Sequence, residues 1–170
     1  KTWVADKGNG TYQNPVLHAD YSDPDICAAG DDFYMTASSF NCIPGIPILH
    51  SNDLVNWSLV NYALPVQEPE PFFDKAQHGK GVWAPAIRFR NGEFYIYWGD
   101  PDYGIYMIKT KDPKGKWSKP VLVKAGKGMI DATPLWDEDG KVYLIHAYAG
   151  SRSGVNSILV ICELNPEGTE

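Results

Sequence analysis

The sequence predicts an all-β protein, a β-propeller of which about three blades are encoded in 170 residues. Two observations carry this prediction. The chain contains 16 Gly and 13 Pro, which separate short apolar stretches rich in Tyr, Val, Ile and Trp, and helical periodicity is nearly absent. The chain also repeats itself in units of roughly 50 residues, as propeller blades do.

The short apolar stretches are the candidate strands. They cover 32–37, 46–51, 57–62, 86–90, 93–98, 104–110, 121–124, 141–148 and 157–164. Asn91-Gly92 and Asp139-Gly140 are predicted to be hairpin turns, since both central residues of a type I′ turn need a positive φ.

An internal repeat organises these strands, and each copy reads Pro, apolar strand, turn and Tyr-containing strand. The copies run from Pro24 to Tyr34, from Pro85 to Tyr95 and from Pro134 to Tyr143, with spacings of 10, 10 and 9 residues. The second halves match as well, because 50–57 resembles 109–117. The aligned Trp57 and Trp117 are therefore predicted to pack within the blades.

We predict an N-terminal extension over 1–12 and a partial propeller domain over 13–170, with blade units at about 20–65, 80–124 and 128–165. Propellers have about 4–8 blades, so three blades leave apolar faces at both ends. We expect these faces to be covered by further blades of the same protein or by a completing chain.

Charge and composition exclude several functional classes. Lys and Arg number 15 against 21 Asp and Glu, a formal charge of −6, which argues against nucleic-acid or anionic-membrane partners. A hydrophobic content of 44% excludes disorder, and no apolar run approaches the roughly 20 residues of a membrane-spanning helix. Cys27, Cys42 and Cys162 have no metal-binding spacing, and we expect buried thiols that act as small apolar residues.

The repeat predicts which distant residues converge. The first strand of each propeller blade lines the central channel, so the segments before each aligned Pro should meet on one axis. These segments are 21–23, 82–84 and 130–133. They bring two carboxylates and one aromatic ring together, which is the inventory of a site that acts on a sugar.

Asp23 and Asp131 are the candidate catalytic carboxylates. Asp23 precedes Pro24, which holds its backbone extended and suits a general base, although Asp before Pro is also a common turn former. Asp20 and Asp25 compete for this role. Asp131 lies among apolar neighbours, so it is either functional or a structural carboxylate bonded to backbone N–H groups.

Two aromatic residues are candidates for sugar contact. Trp83 would form a stacking platform, or else belong to the core, and Phe40 would reach the pocket mouth from a loop, or else anchor that loop. The four histidines show no metal-ligand spacing, and His146 is predicted to be a hydrogen-bonded strand residue. G-x-S-x-G is absent, which leaves carboxylate chemistry or plain binding.

In these motifs the chain resembles glycoside hydrolase family 43, five-bladed propeller enzymes that act on arabinofuranosides and xylosides. The matching segments are Asn14–Leu17, Tyr21–Ile26, Ser38–Phe40, Pro44–Ile48, His50–Trp57, Val82–Pro85, Asp112-Pro113 with Trp117, and Ile130-Asp131 leading to Trp136–Leu144. Together, in this order, they span about 13–164.

The resemblance implies roles for individual residues. Asp23 would be the general base that activates water, and Asp131 would raise the pKa of the catalytic acid and orient it. Trp83, Ala84 and Phe40 would contact the sugar. The family mechanism is inverting, which requires carboxyl groups about 6.5–9.5 Å apart.

The chain departs from the family pattern at two places. Ala132 follows Asp131 where many members have Pro, which leaves the assignment of Asp131 intact. The general acid of the family is a Glu in the following blade, and no matching segment precedes Glu170. Glu163 and Glu167, like Glu170, belong to a predicted strand end and inter-blade turn.

Two other interpretations stay open. The same acids and Trp83 would serve a non-catalytic carbohydrate-binding propeller, whereas a fructosidase-type relative is disfavoured because the Asn-Asp-Pro-Asn-Gly opening is absent. The resemblance implies no required cofactor, and the channel calcium of some relatives would take its ligands largely from other blades. A secreted or periplasmic location is expected from the substrate class and from a chain that opens on Lys1 instead of Met.

Overall fold

A computed structural model describes residues 3–170, so Lys1 and Thr2, at the start of the predicted N-terminal extension, lie outside the described residues. The described chain forms three antiparallel sheets and two four-residue helices. The all-β prediction is confirmed. Within residues 3–170 no helix has the length and apolar character needed to cross a membrane.

Each sheet is a meander in which consecutive strands pair. The first sheet comprises β1 (Asp25–Ala29), β2 (Asp32–Thr36), β3 (Gly45–Ser51) and β4 (Ser58–Leu64). Helix α1 (Glu70–Phe73) precedes the second sheet, which comprises β5 (Trp83–Arg90), β6 (Glu93–Asp100), β7 (Gly104–Thr110) and β8 (Val121–Ala125). The third sheet contains β9 (Met129–Trp136), β10 (Val142–Tyr148) and β11 (Val160–Leu164), with helix α2 (Gly150–Ser153) before β11.

The sheets pack face to face through two cores, as propeller blades do. The first core joins the first and second sheets and includes Ile48, Ile87 and Trp98. The second core joins the second and third sheets and includes Tyr97 and Leu144. The innermost strands of the three sheets, β1, β5 and β9, lie side by side, so residues at the starts of these strands face a common axis.

Part of the outer face of the first sheet and the outer face of the third sheet are not covered by residues 3–170, although Met35 and Leu49 on the outer face of the first sheet are buried beneath the N-terminal segment. Ile26 is exposed on β1, and Leu135 and Ile161 are exposed on β9 and β11. An apolar cavity of about 680 Å³ lies against the first sheet, and Trp57 lines it. Trp117, which aligns with Trp57 in the repeat, is buried in the first core, as predicted for a residue that packs within a blade. Trp57 is not part of either core, so the two aligned tryptophans have different surroundings.

Both predicted hairpin connections form, but only the first is a type I′ turn. Asn91 and Gly92 have φ values of 50° and 78°, as a type I′ turn requires. Asp139 has no positive φ, and the connection between β9 and β10 spans residues 137–141. The Gly140 N–H donates to the Asp137 carbonyl at 3.2 Å, which makes the tight turn part of a five-residue connection.

The prediction of three buried thiols holds for Cys27, whose burial raises the pKa of its thiol to about 12. It is wrong for Cys42, which is exposed, and Cys162 is half-buried. Cys42 lies in the connection between β2 and β3, where no neighbouring sheet covers it.

Candidate active site

One residue from each sheet adopts a left-handed backbone conformation at or just before the inner strand. These residues are Asp23, Ala84 and Asp131, with φ values of 51°, 37° and 55°. The prediction that Pro24 holds the Asp23 backbone extended is therefore wrong. A left-handed conformation costs a non-glycine residue roughly 1–3 kcal/mol and is concentrated at functional sites. All three line one cavity of about 410 Å³, so the predicted convergence of the inner strands occurs at these positions.

The pairing pattern corrects the alignment of the third repeat. In each sheet, the residue paired with the repeat tyrosine lies four positions after the left-handed residue; these partners are Cys27, Arg88 and Leu135. Ala132 is therefore the equivalent of Pro24 and Pro85, and Pro134 lies two residues too late. The longer connection before β10 alters the spacing on which the sequence alignment relied.

Asp23 is held by a hydroxyl from the connection between β2 and β3. The Ser38 Oγ–H donates to Asp23 Oδ2 at 2.6 Å, and Ser38 Oγ accepts the Ala84 N–H at 2.8 Å. The Ser38 N–H in turn donates to the Ser22 carbonyl at 3.0 Å. The carboxylate of Asp23 is thus exposed to the cavity on one side and fixed in direction on the other.

Asp131 has a different environment. Within residues 3–170, neither a backbone N–H nor a side chain donates a hydrogen bond to the Asp131 carboxylate. The alternative of a structural carboxylate bonded to backbone N–H groups is therefore not supported. Partial burial, and to a lesser extent the charge of Asp23, raises the pKa of Asp131 above its ordinary value. The two carboxylates therefore interact across the cavity.

The remaining carboxylates near Asp23 have other surroundings. Asp25 lines the same cavity but accepts bonds from the Arg88 guanidinium and from the Ile87 N–H. Asp20 is exposed and does not line the cavity. Of the three candidates for the base, Asp23 is the one that lines the cavity with a carboxylate held by a hydroxyl and not paired with the Arg88 guanidinium.

The aromatic candidates lie beside the cavity, not in its lining. Phe40 and Trp83 pack edge to face with ring centroids 6.2 Å apart, and the Trp83 indole N–H donates to the Gly79 carbonyl at 2.9 Å. Ala84, next to Trp83, lines the cavity itself. Trp83 and Phe40 each lie in a neighbouring surface depression, and Phe73 lines both.

The histidines were further titratable candidates in the sequence. Residues 3–170 contain no group of three or more His, Cys, Asp or Glu side chains placed to hold a metal ion. His146 is fully buried on β10, with Nδ1 3.0 Å from the Ala147 carbonyl, which confirms the prediction of a hydrogen-bonded strand histidine. Burial lowers the pKa of this imidazole.

Sequence reasoning did not single out Ser38, Arg88 or Thr133 as site residues. Ser38 was visible only as part of a matching motif, and Thr133 only as the end of a segment before Pro134. Arg88 carried a detectable signal, since it is a charged residue between the apolar Ile87 and Phe89 on an inner strand.

The chain is similar in sequence to known glycoside hydrolases. The family model described as glycosyl hydrolases family 43 matches residues 12–170. The chain is 36% identical to a beta-xylosidase of Formosa agariphila over 97% of its length, covering 30% of that protein. It is 37% identical to a non-reducing end alpha-L-arabinofuranosidase of Bacteroides ovatus over 79% of its length, covering 26% of that protein.

Solved structures show the same relationship. The GH43 protein BlXynB of Bacillus licheniformis superposes with a TM-score of 0.75 at 32% identity, over 93% of this chain and 31% of that one. The Bacteroides ovatus xyloglucan-locus GH43B gives a TM-score of 0.74 at 31% identity, over 91% of this chain and 30% of that one. The chain thus spans less than a third of the length of these relatives, and its sheets are propeller blades of their type.

Proposed function

The chain belongs to glycosyl hydrolase family 43, and we propose that the protein carrying it hydrolyses xylosyl or arabinofuranosyl linkages of plant polysaccharides or oligosaccharides with inversion. The observation that carries the proposal is the meeting of Asp23 and Asp131, from the first and third sheets, at one cavity. Relatives named beta-xylosidase and alpha-L-arabinofuranosidase support the choice of sugars.

We assign Asp23 as the general base. Its carboxylate is fixed by Ser38 and open to the cavity, so a water molecule held there would lose a proton to Asp23 while attacking the anomeric carbon. A general base of this kind contributes about 10²–10⁴-fold to the rate.

We assign Asp131 as the carboxylate that orients the catalytic acid and raises the pKa of that acid. A carboxylate with no hydrogen bond from residues 3–170 is free to face a second carboxyl group, and a negative charge beside an acid favours its protonated form. The acid itself would come from a part of the protein beyond the three sheets. Ala84 at the cavity wall, with Phe40 and Trp83 beside it, would contact the sugar.

Further blades of the same protein are proposed to cover the outer face of the third sheet and the exposed part of the outer face of the first sheet. Exposed residues on these faces, such as Ile26 and Ile161, are of the kind that a neighbouring blade buries. The two cores between the present sheets are built from equivalent strand faces, which supports this assignment.

The test uses the complete gene product with 4-nitrophenyl β-D-xylopyranoside and 4-nitrophenyl α-L-arabinofuranoside. Asp23→Asn is expected to lower kcat by about 10²–10⁴-fold and to leave sugar binding by calorimetry nearly unchanged. Asp20→Asn, three residues earlier and outside the cavity, is the matched control and should keep full activity. NMR of the first-formed sugar should show inverted anomeric configuration.

Three results would count against the proposal. Full activity of Asp23→Asn would remove Asp23 from the role of base. A product of retained configuration would exclude the inverting mechanism. Tight sugar binding without turnover by the complete protein would favour the non-catalytic carbohydrate-binding propeller.

A further inference from the structure

Arg88 connects all three sheets at the cavity that holds the two aspartates. It lies on β5, the middle of the three inner strands, and its side chain is 36% exposed. The guanidinium lines the cavity together with Asp23 and Asp131. None of the roles proposed for the hydrolytic reaction uses this residue.

The guanidinium bonds to both neighbouring inner strands. Arg88 Nη1 donates to Asp25 Oδ2 on β1 at 2.5 Å, and Nη2 donates to Thr133 Oγ1 on β9 at 2.8 Å. Nη1 also donates to the Ile87 carbonyl at 2.7 Å, while the Ile87 N–H donates to the same Asp25 oxygen at 2.7 Å. One side chain therefore fixes β1 and β9 relative to β5.

The two side-chain partners of Arg88 lie close in sequence to the two candidate catalytic carboxylates. Asp25 lies two residues after Asp23, and Thr133 lies two residues after Asp131. Both pairs line the same cavity as Arg88, so the bridge runs beside the two carboxylates. We propose that Arg88 is a positioning residue, which sets the separation of the Asp23 and Asp131 carboxylates by joining Asp25 to Thr133. This inference rests on the proposed function of the two aspartates.

Arginine suits this task for a geometric reason. Its planar guanidinium directs donors along fixed, divergent directions, whereas a lysine ammonium is a point charge on a flexible chain. An ion pair exposed to about a third contributes little to stability. A displacement of about 1 Å at a reacting group, by contrast, lowers the rate by about 10²-fold. The bridge should therefore matter more for turnover than for stability.

Thr133 provides a matched pair of variants in the complete protein. Thr133→Val keeps the shape and the β-branch but removes the acceptor of Arg88 Nη2, and kcat is expected to fall by about 10-fold to 100-fold with little change in KM. Thr133→Ser keeps the hydroxyl and should retain kcat within about threefold. Unchanged kcat in Thr133→Val, or an equal loss in both variants, would overturn the proposal.

A second measurement does not depend on turnover. Crystal structures of the complete wild-type protein and of Arg88→Lys give the distance between the Asp23 and Asp131 carboxylates directly. We expect this distance to change by more than about 0.5 Å, the tolerance typical of catalytic groups, with the sheets intact. An unchanged distance would overturn the proposal even if the protein proved to be a binding module, so the failure of this inference and that of the proposed function are distinguishable.

Discussion

The Ser38 hydroxyl donates to Asp23 Oδ2 at 2.6 Å, and Ser38 Oγ accepts the Ala84 N–H at 2.8 Å. One oxygen therefore links the candidate base to a backbone group on the second sheet. The two residues that it joins both have a positive φ. A strained backbone of this kind persists only where surrounding contacts hold it, and Ser38 supplies two such contacts.

Replacement of this hydroxyl should impair turnover more than binding. Ser38→Ala in the complete protein frees the Asp23 carboxylate and leaves the Ala84 N–H unpaired, so kcat is expected to fall by about 10-fold to 100-fold. Ser38→Thr keeps the hydroxyl and should retain most activity. Steady-state kinetics on the two aryl glycosides measure both variants.

If Ser38→Ala acts through Asp23, it should have little further effect on kcat in an Asp23→Asn background, and an additive loss would contradict this role.

Asp100 predicts a pH dependence of stability that is separate from catalysis. The residue is 3% exposed, and burial raises the pKa of its carboxyl to about 6 despite bonds from the Asp102 and Tyr103 N–H groups. The folded protein binds this proton more tightly than the unfolded chain does. Ionisation above pH about 6 therefore costs stability, and the cost disappears as the pH falls below about 4.

Asp100→Asn should remove this cost, because Asp100 Oδ1 is the atom that accepts both N–H bonds and an amide oxygen can replace it. The free energy of unfolding should rise by at most about 3 kcal/mol at pH 7 and change little at pH 4. Urea unfolding at the two pH values tests this, with Asp20→Asn as an exposed control. A gain of equal size at both pH values would show that ionisation of Asp100 is not the cause.

The proposed covering of the third sheet makes an exposed residue sensitive to mutation. Ile161 on β11 is 67% exposed within residues 3–170, yet Ile161→Asp should destabilise the complete protein by about 3 kcal/mol or more if a blade buries it. Leu122 on β8, 45% exposed in the already flanked second sheet, is the control, and Leu122→Asp should cost about 1 kcal/mol or less. Urea unfolding compares the two, and equal losses would argue against a covering blade on β11.

The sequence by itself determined the architecture and the two central carboxylates. The all-β prediction followed from Gly and Pro punctuation, which acts locally, and the repeat identified equivalent positions without any knowledge of contacts. Asp23 and Ala84 stand before Pro24 and Pro85, so their convergence could be predicted from alignment alone. Asp131 was found in the right segment, although Pro134 placed that segment two residues out of register.

Only the tertiary structure decided which side chains hold this site together. The bond of Ser38 to Ala84 and that of Arg88 to Thr133 cross between sheets over separations of 46 and 45 residues. No local pattern specifies such bonds, because they depend on the packing of one blade against the next. The register of the third repeat also required the structure, because the length of the five-residue connection before β10 is known only once β9 and β10 are paired.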